Sequence, residues 1–303
     1  GNMNSVREAC SIPEAYRDLI EGRICPVLST VLPDGQPQST VVWCDSDGDD
    51  VLINTMRGFR KEKNMRANPR VTLLAYEQRN PLRSLEVRGT VIEMTEVGAL
   101  AHLDRLSVKY IGRGPYFGAC VPAELKERES PVLCRIAPTR IVTLNAGDAA
   151  DNVNFSKPSR PAPADGFIPA SHLDLVTRPL HGVLTTMLAD GQPQSTLVWL
   201  DYDGQCLRVN TTRQRQKGKN MQANPKVNLL IIDPGDVSRW IEVRGEAEIT
   251  EEGALEHLDE LTRQYTRHEH YYGGVFPTGR QMQETRIICR IKPSKITLDA
   301  IHK

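Results

Sequence analysis

Two short segments gather hydroxyls and cations in an order that suits an anion. The first is NTMRGFRKEKN, Asn54 to Asn64, and the second is NTTRQRQKGKN, Asn210 to Asn220. Each opens with Asn-Thr at the end of an apolar, β-branched run, and Arg57 or Arg213 stands two residues after the threonine. Further cations follow, Arg60, Lys61 and Lys63 in the first and Arg215, Lys217 and Lys219 in the second, before each segment closes on Asn64 or Asn220. With Thr55 or Thr211, these donors converge where a strand hands over to a helix N-terminus. A phosphate requires that chemistry: charge-assisted hydrogen bonds and the positive end of aligned peptide dipoles. The competing reading is an ordinary solvated helix face, since neither segment is a glycine-rich phosphate loop.

Other reactive side chains offer less. The seven cysteines are scattered, odd in number and without a C-x-x-C, so neither a disulfide framework nor a metal site is expected. Cys134 and Cys289 sit in apolar runs as small hydrophobes. His102 and His257 lie beside Asp104 and Asp259 on helical patterns without a third partner, and are expected to be exposed helix residues. Glu86 with Arg88, and Glu242 with Arg244, alternate on a strand and suggest cross-strand ion pairs. Trp43 and Trp199 suit a core. Tyr116, Phe117, Tyr271 and Tyr272 fit either an aromatic lid or simple packing. No acid, base or nucleophile stands out as catalytic.

The elements that must position these residues are short strands with helices at their margins. IPEAYRDLIEGR predicts a first helix with Pro13 in its opening turn. ICPVLSTVL and STVVWC read as strands around an Asp-Gly turn, which needs a positive φ that glycine accepts. VLINTM follows as a strand, and RKEKNMRANP as a brief helix stopped by Pro69. RVTLLAYE and SLEVRGTVIEMT are strands; in the latter Leu85, Val87 and Val91 repeat at period two, which predicts one buried face. EVGALAHLDRLSVKYIG carries Leu100, Leu103, Leu106 and Tyr110 along one helical stripe, and PVLCRIAPTRIVTL closes the unit. The expected fold class is mainly β with flanking helices, a six-stranded antiparallel barrel of Greek-key type.

The whole pattern occurs twice. DGQPQSTVVW at Asp34 recurs as DGQPQSTLVW at Asp190, an offset of 156 residues that also superposes Asn54-Thr55 on Asn210-Thr211 and one EVRG on the other. The chain of 303 residues therefore reads as a tandem duplication, with domains at 1–145 and 167–303. A linker rich in Pro, Ala, Asp and Ser joins them at 146–166. Two such domains suit an intrachain pseudo-dimer, with room for further self-association. Formal net charge is zero, 38 acidic residues against 38 Lys plus Arg, which argues against a nucleic-acid partner. No apolar run is long enough to span a bilayer and no signal-peptide pattern opens the chain, so a cytoplasmic location is expected.

Taken together, D-G-x-P-Q-x-T-x-V-W, N-T-x-R-x-x-x-K and N-P-x-V resemble the pyridoxamine 5′-phosphate oxidase-like split-barrel flavoproteins, nearest to their FMN- and coenzyme F420-dependent reductases. The resemblance covers residues 12–144 and 168–298. It implies paired split barrels with cofactor sites between them, a need that a fused chain meets by itself. It further implies that Thr55, Arg57, Arg60, Lys61, Lys63 and Asn64 hold the phosphate of FMN or F420. Thr211, Arg213, Arg215, Lys217, Lys219 and Asn220 correspond in the second copy. Gln38, Ser39, Thr40, Val42 and Trp43 would run along the tricyclic ring, as would Gln194 to Trp199. Hydride would pass between the ring and a small-molecule substrate. A non-catalytic flavin- or haem-binding protein is the alternative, with His102 or His257 then candidate haem ligands. Gln216 in place of Arg60 and Gln214 in place of Gly58 set the second copy apart.

Overall fold

The computed structural model describes residues 5–146 and 166–299, so residues 147–165 of the expected linker lie outside the described residues. The chain folds as two compact units, carried mainly by these two stretches. The first unit comprises β1 Ser5–Ala9, β2 Val27–Val31, β3 Pro37–Val41, β4 Cys44–Asp47, β5 Asp50–Met56, β6 Arg70–Glu77, β7 Asn80–Thr95 and β8 Pro131–Asn145. Its sheet runs β3-β2-β6-β7-β8-β5-β4, with β1 also paired to β8. The strands at the two ends of that path, β3 and β4, are separated along the chain by Val42 and Trp43 alone, so the sheet must curl back on itself.

The second unit repeats the path as β10-β9-β13-β14-β15-β12-β11. Its strands are β9 Gly182–Met187, β10 Pro193–Val198, β11 Asp201–Tyr202, β12 Leu207–Thr212, β13 Lys226–Asp233, β14 Asp236–Thr250 and β15 Arg286–Leu298. Pairing is antiparallel in both units. Each path has seven strands where six were expected, because the run through Ser39 to Cys44 divides. Between the halves Val42 N–H turns to Pro26 O at 3.0 Å, and Cys44 N–H turns to Tyr110 Oη at 3.1 Å. The ladder there passes from β2 to β5.

The helices are α1 Asp18–Glu21, α2 Arg60–Ala67 and α3 Ala99–Ile111, repeated as α4 Asp174–Thr177, α5 Gln216–Ala223 and α6 Ala254–Tyr265. A turn of 3-10 helix, Glu14–Tyr16, forms the start of the expected first helix. None is long and apolar enough to cross a membrane among the described residues. Leu28, Ile53, Leu73, Leu85 and Ile136 are wholly buried in the first barrel, as are Val209, Leu229, Ile241, Val243 and Ile291 in the second.

The EVRG repeat departs from the period-two expectation. Residues Ser84 to Gly89 are all buried, so the middle of β7 is covered on both faces. Arg88 Nε meets Glu86 Oε1 at 2.9 Å along the same strand rather than across to a neighbour. In β14, Arg244 Nη2 lies 3.2 Å from Glu242 Oε1, and Asn228 Nδ2 donates to the other carboxylate oxygen at 2.6 Å. The glycine follows at a register shift, where a β-carbon on Gly89 would meet Ala137 O at 2.7 Å. On Gly245 it would meet Lys292 O at 2.3 Å. The two strands touch too closely there for any side chain.

Candidate functional site

In the first unit β5 ends on Thr55 and Met56, a turn through Gly58 at φ +87° follows, and α2 begins at Arg60. Phe59, extended, supplies no side-chain cap to the first turn. Thr55 is 5% exposed, and its hydroxyl is buried without a hydrogen-bond partner. Arg60 and Lys63 project to solvent, whereas Lys61 is 6% exposed. Arg57 is held away from them by both oxygens of Glu96, a contact that raises its pKa. Glu62, the acid within this turn, accepts from Arg66 Nε at 2.6 Å and from Gly58 N–H at 3.3 Å.

Asn64 has a positioning part. Its Nδ2 donates to Thr30 Oγ1 at 3.0 Å and lies 3.4 Å from Gln38 Oε1, while Thr30 Oγ1 donates to the same Gln38 oxygen at 2.7 Å. This buried trio ties the cationic helix to β2 and β3. Asn220, Thr186 and Gln194 repeat it, with both Nδ2 contacts at 3.0 Å. Along β3, Ser39 is wholly buried against Ser29, hydroxyl to hydroxyl at 2.7 Å, and Val42 belongs to the barrel core. Thr40 is the member of this strand whose buried hydroxyl has no partner; Thr196 matches it in the second copy.

The second unit places Thr211 at 1% exposure with an unpartnered hydroxyl, as in Thr55. Arg213 is taken by Glu251 and Gln222, and Arg215 Nη2 lies 3.5 Å from Glu284. Lys217 is half-buried and Lys219 exposed. Gly218 stands where the first copy has Glu62, and a β-carbon on it would fall 1.9 Å from Thr212 O. The helix therefore sits against β12 more closely than a side chain would permit.

His102 and His257 are not exposed, as expected from sequence, but 0% and 2% accessible. His102 Nδ1 meets Asn54 Nδ2 at 3.1 Å and its Nε2 meets Asp45 at 2.8 Å. His257 bridges Asn210 and Asp201 in the same way, at 3.2 Å to each. Burial would raise the Asp201 pKa, but hydrogen bonds from His257 and Arg208 bring it down to about 2. Both nitrogens of each imidazole are engaged, which leaves neither histidine a lone pair for a haem iron. The relay instead fastens α3 and α6 to β4–β5 and β11–β12. Sequence reasoning missed it because Asp45 and Asn54 are remote from His102 in the chain; the recurrence of all three at matching positions was the available signal.

Trp43 is half-buried, stacked on Tyr110 at 5.3 Å and edge-on to Tyr116, in an apolar cluster with Met56, Leu103 and Phe117. Trp199 stacks on Tyr265 at 5.4 Å in the second copy. The uncertain aromatics thus pack beneath α3 and α6. Burial pushes the Cys134 and Cys289 thiols up to about 12, so neither offers a nucleophile near neutral pH.

Fold and repeat together define a duplicated split barrel with a threonine-and-cation turn in each copy. The family model of pyridoxamine 5′-phosphate oxidase matches residues 12–145 and again residues 168–298, and the chain belongs to that family. Among solved structures, an F420 reductase is 32% identical over 43% of this chain and 98% of its own, with a TM-score of 0.37. A conserved hypothetical protein from Mycobacterium tuberculosis is 28% identical over 46% and 89%, with a TM-score of 0.35. General Stress Protein 26 from Bacillus anthracis is 24% identical over 41% and 87%, with a TM-score of 0.31. No curated protein matches.

Proposed function

We propose that the protein is an oxidoreductase that binds FMN or coenzyme F420 and transfers hydride to or from a small-molecule substrate. Membership of the pyridoxamine 5′-phosphate oxidase family supports a flavin or deazaflavin. The observation that carries the site is the Thr55 hydroxyl, buried and unpartnered at the strand end from which the cations follow. A phosphate oxygen would satisfy it. Arg60, Lys61 and Lys63 would supply charge, and the positive end of the α2 dipole would favour the same anion. The donor set thus fits the group. Arg57 contributes less in this reading, because Glu96 already neutralises it.

The ring, when bound, supplies the redox chemistry. The chain's own residues anchor and orient. Asn64 and Gln38 hold the cationic turn at fixed distance from β3, and Thr40 offers a second unpartnered hydroxyl on that strand. The tandem family domains are proposed to act as an intrachain pseudo-dimer.

The test is a titration of the purified chain with FMN and with F420, followed by absorbance and fluorescence. Arg60→Ala with Lys61→Ala should weaken binding at least tenfold, since each charge-assisted hydrogen bond contributes about 1.5–3 kcal/mol. Equal affinity in that variant and the parent removes the phosphate assignment.

A further inference from the structure

The second copy buries two donors that have no counterpart in the first. Tyr272 is 8% exposed, and its hydroxyl has no hydrogen-bond partner. Arg286 is 9% exposed, and its Nη1 makes no hydrogen bond either. Burial raises the Tyr272 pKa, and the Arg286 guanidinium beside it opposes that rise. The phenol proton and the Nη1 protons all still need an acceptor.

In the first copy the matching positions hold Phe117 and Pro131, whose side chains donate nothing. The ladders confirm the match, since Arg286 faces Thr212 as Pro131 faces Met56. Asn54 Oδ1 is buried there without a partner, whereas its counterpart Asn210 Oδ1 accepts from Arg286 Nε at 2.9 Å.

The second-copy donors are fixed before any ligand arrives. Asn210 Nδ2 donates to Ala254 O at 2.8 Å and lies 3.2 Å from His257 Nδ1, which ties the arginine's anchor to α6. The guanidinium lies over the Tyr271 ring at 5.1 Å. Tyr271 N–H donates to Asp259 Oδ1 at 2.9 Å, and its ring meets that of Tyr272 edge-on. Binding therefore costs little ordering of these side chains.

Glu284, 12% exposed, is the acid at this place. One of its oxygens lies 3.5 Å from Arg286 Nη1 and 3.5 Å from Arg215 Nη2. Glu129 holds the matching position in the first copy, so the acid is common to both and the donors are what set the second apart. Among these three groups two guanidiniums face one carboxylate, which leaves one positive charge over. Aromatic faces border it, for Arg215 lies 5.9 Å over Phe276 and Tyr271 packs on Phe276. A second carboxylate supplies the missing charge and two acceptor oxygens, and a flat apolar body suits the rings around it.

We infer that the second copy has a subsite for the carboxylate of a small aromatic acid, with Arg286 and Tyr272 as its donors. The inference goes beyond the flavin or deazaflavin reading and does not depend on it.

Titration of the full chain without cofactor, followed by calorimetry, uses benzoate, its neutral isostere benzamide and inorganic phosphate as probes. Benzoate should bind at least tenfold more tightly than either of the others. Tyr272→Phe should weaken benzoate about tenfold, the worth of one hydrogen bond to a charged group. Its denaturation midpoint should be equal or higher, because the hydroxyl removed has no partner. Arg286→Lys keeps a charge but loses the planar fork, and should weaken benzoate to a similar degree. No benzoate binding, equal affinity for benzamide, or tighter binding of phosphate would overturn the subsite. Benzoate affinity unchanged in either variant would overturn the assignment of donors, and a lowered midpoint in Tyr272→Phe would show a structural hydroxyl instead. None of these results bears on FMN or F420 uptake, which is measured separately.

Discussion

Thr55 sits at the centre of the residue-scale argument because its hydroxyl has lost water and gained nothing in return. A buried hydroxyl in that state costs on the order of 1–3 kcal/mol. Thr55→Val should therefore leave the cofactor-free protein equally stable, or more stable by about 1 kcal/mol. The same change should weaken FMN or F420 binding several-fold. Chemical denaturation and titration read the two effects separately; a large loss of stability would show that the hydroxyl has a structural partner. Side-chain partnerships at this scale were only partly legible in the sequence. The hydroxyl and cations were conspicuous by type and order, but which cations were already neutralised was not. Arg57 and Glu96 meet across an intervening barrel segment, and local spacing carries no trace of that contact. His102 was misread for the same reason: its burial is set by Asp45 and Asn54, which only the fold brings beside it.

Among the elements, α2 and α5 are short and would be marginal alone. They persist because Asn64 and Asn220 fasten them to neighbouring strands. The helices and most strand positions followed from turn residues and apolar periodicity, and Pro69 marked the end of α2 as expected. Two features did not follow. The break at Val42 and Trp43 depends on Pro26 and Tyr110, remote in the chain. The EVRG strand is covered on both faces, so its Glu and Arg are buried together instead of facing water. The glycine of that motif is required by close approach of the next strand. Gly245→Ala would drive a methyl into Lys292 O and should cost about 1–3 kcal/mol in a denaturant melt. Gly279→Ala meets nothing within 4 Å and should leave the midpoint unchanged, which makes it the matched control.

At the scale of the molecule, the chain carries two copies of one family domain. If the units pair as proposed, a chain of residues 1–145 alone exposes the face its sister would cover, and should dimerise in sedimentation at micromolar concentration. A strictly monomeric excised copy would sink the pairing. The amino-acid order by itself determined that there are two copies, that each is a small β-rich barrel, and that each carries a hydroxyl-and-cation turn. Those properties are local: they reside in repeats, periodicity and turn chemistry, which act over a few neighbouring residues. Tertiary structure decided which of the like-looking cations remain available. A charge is neutralised by whatever the fold sets within a few ångströms, and Glu284 reaches Arg215 only because β15 lies beside β12.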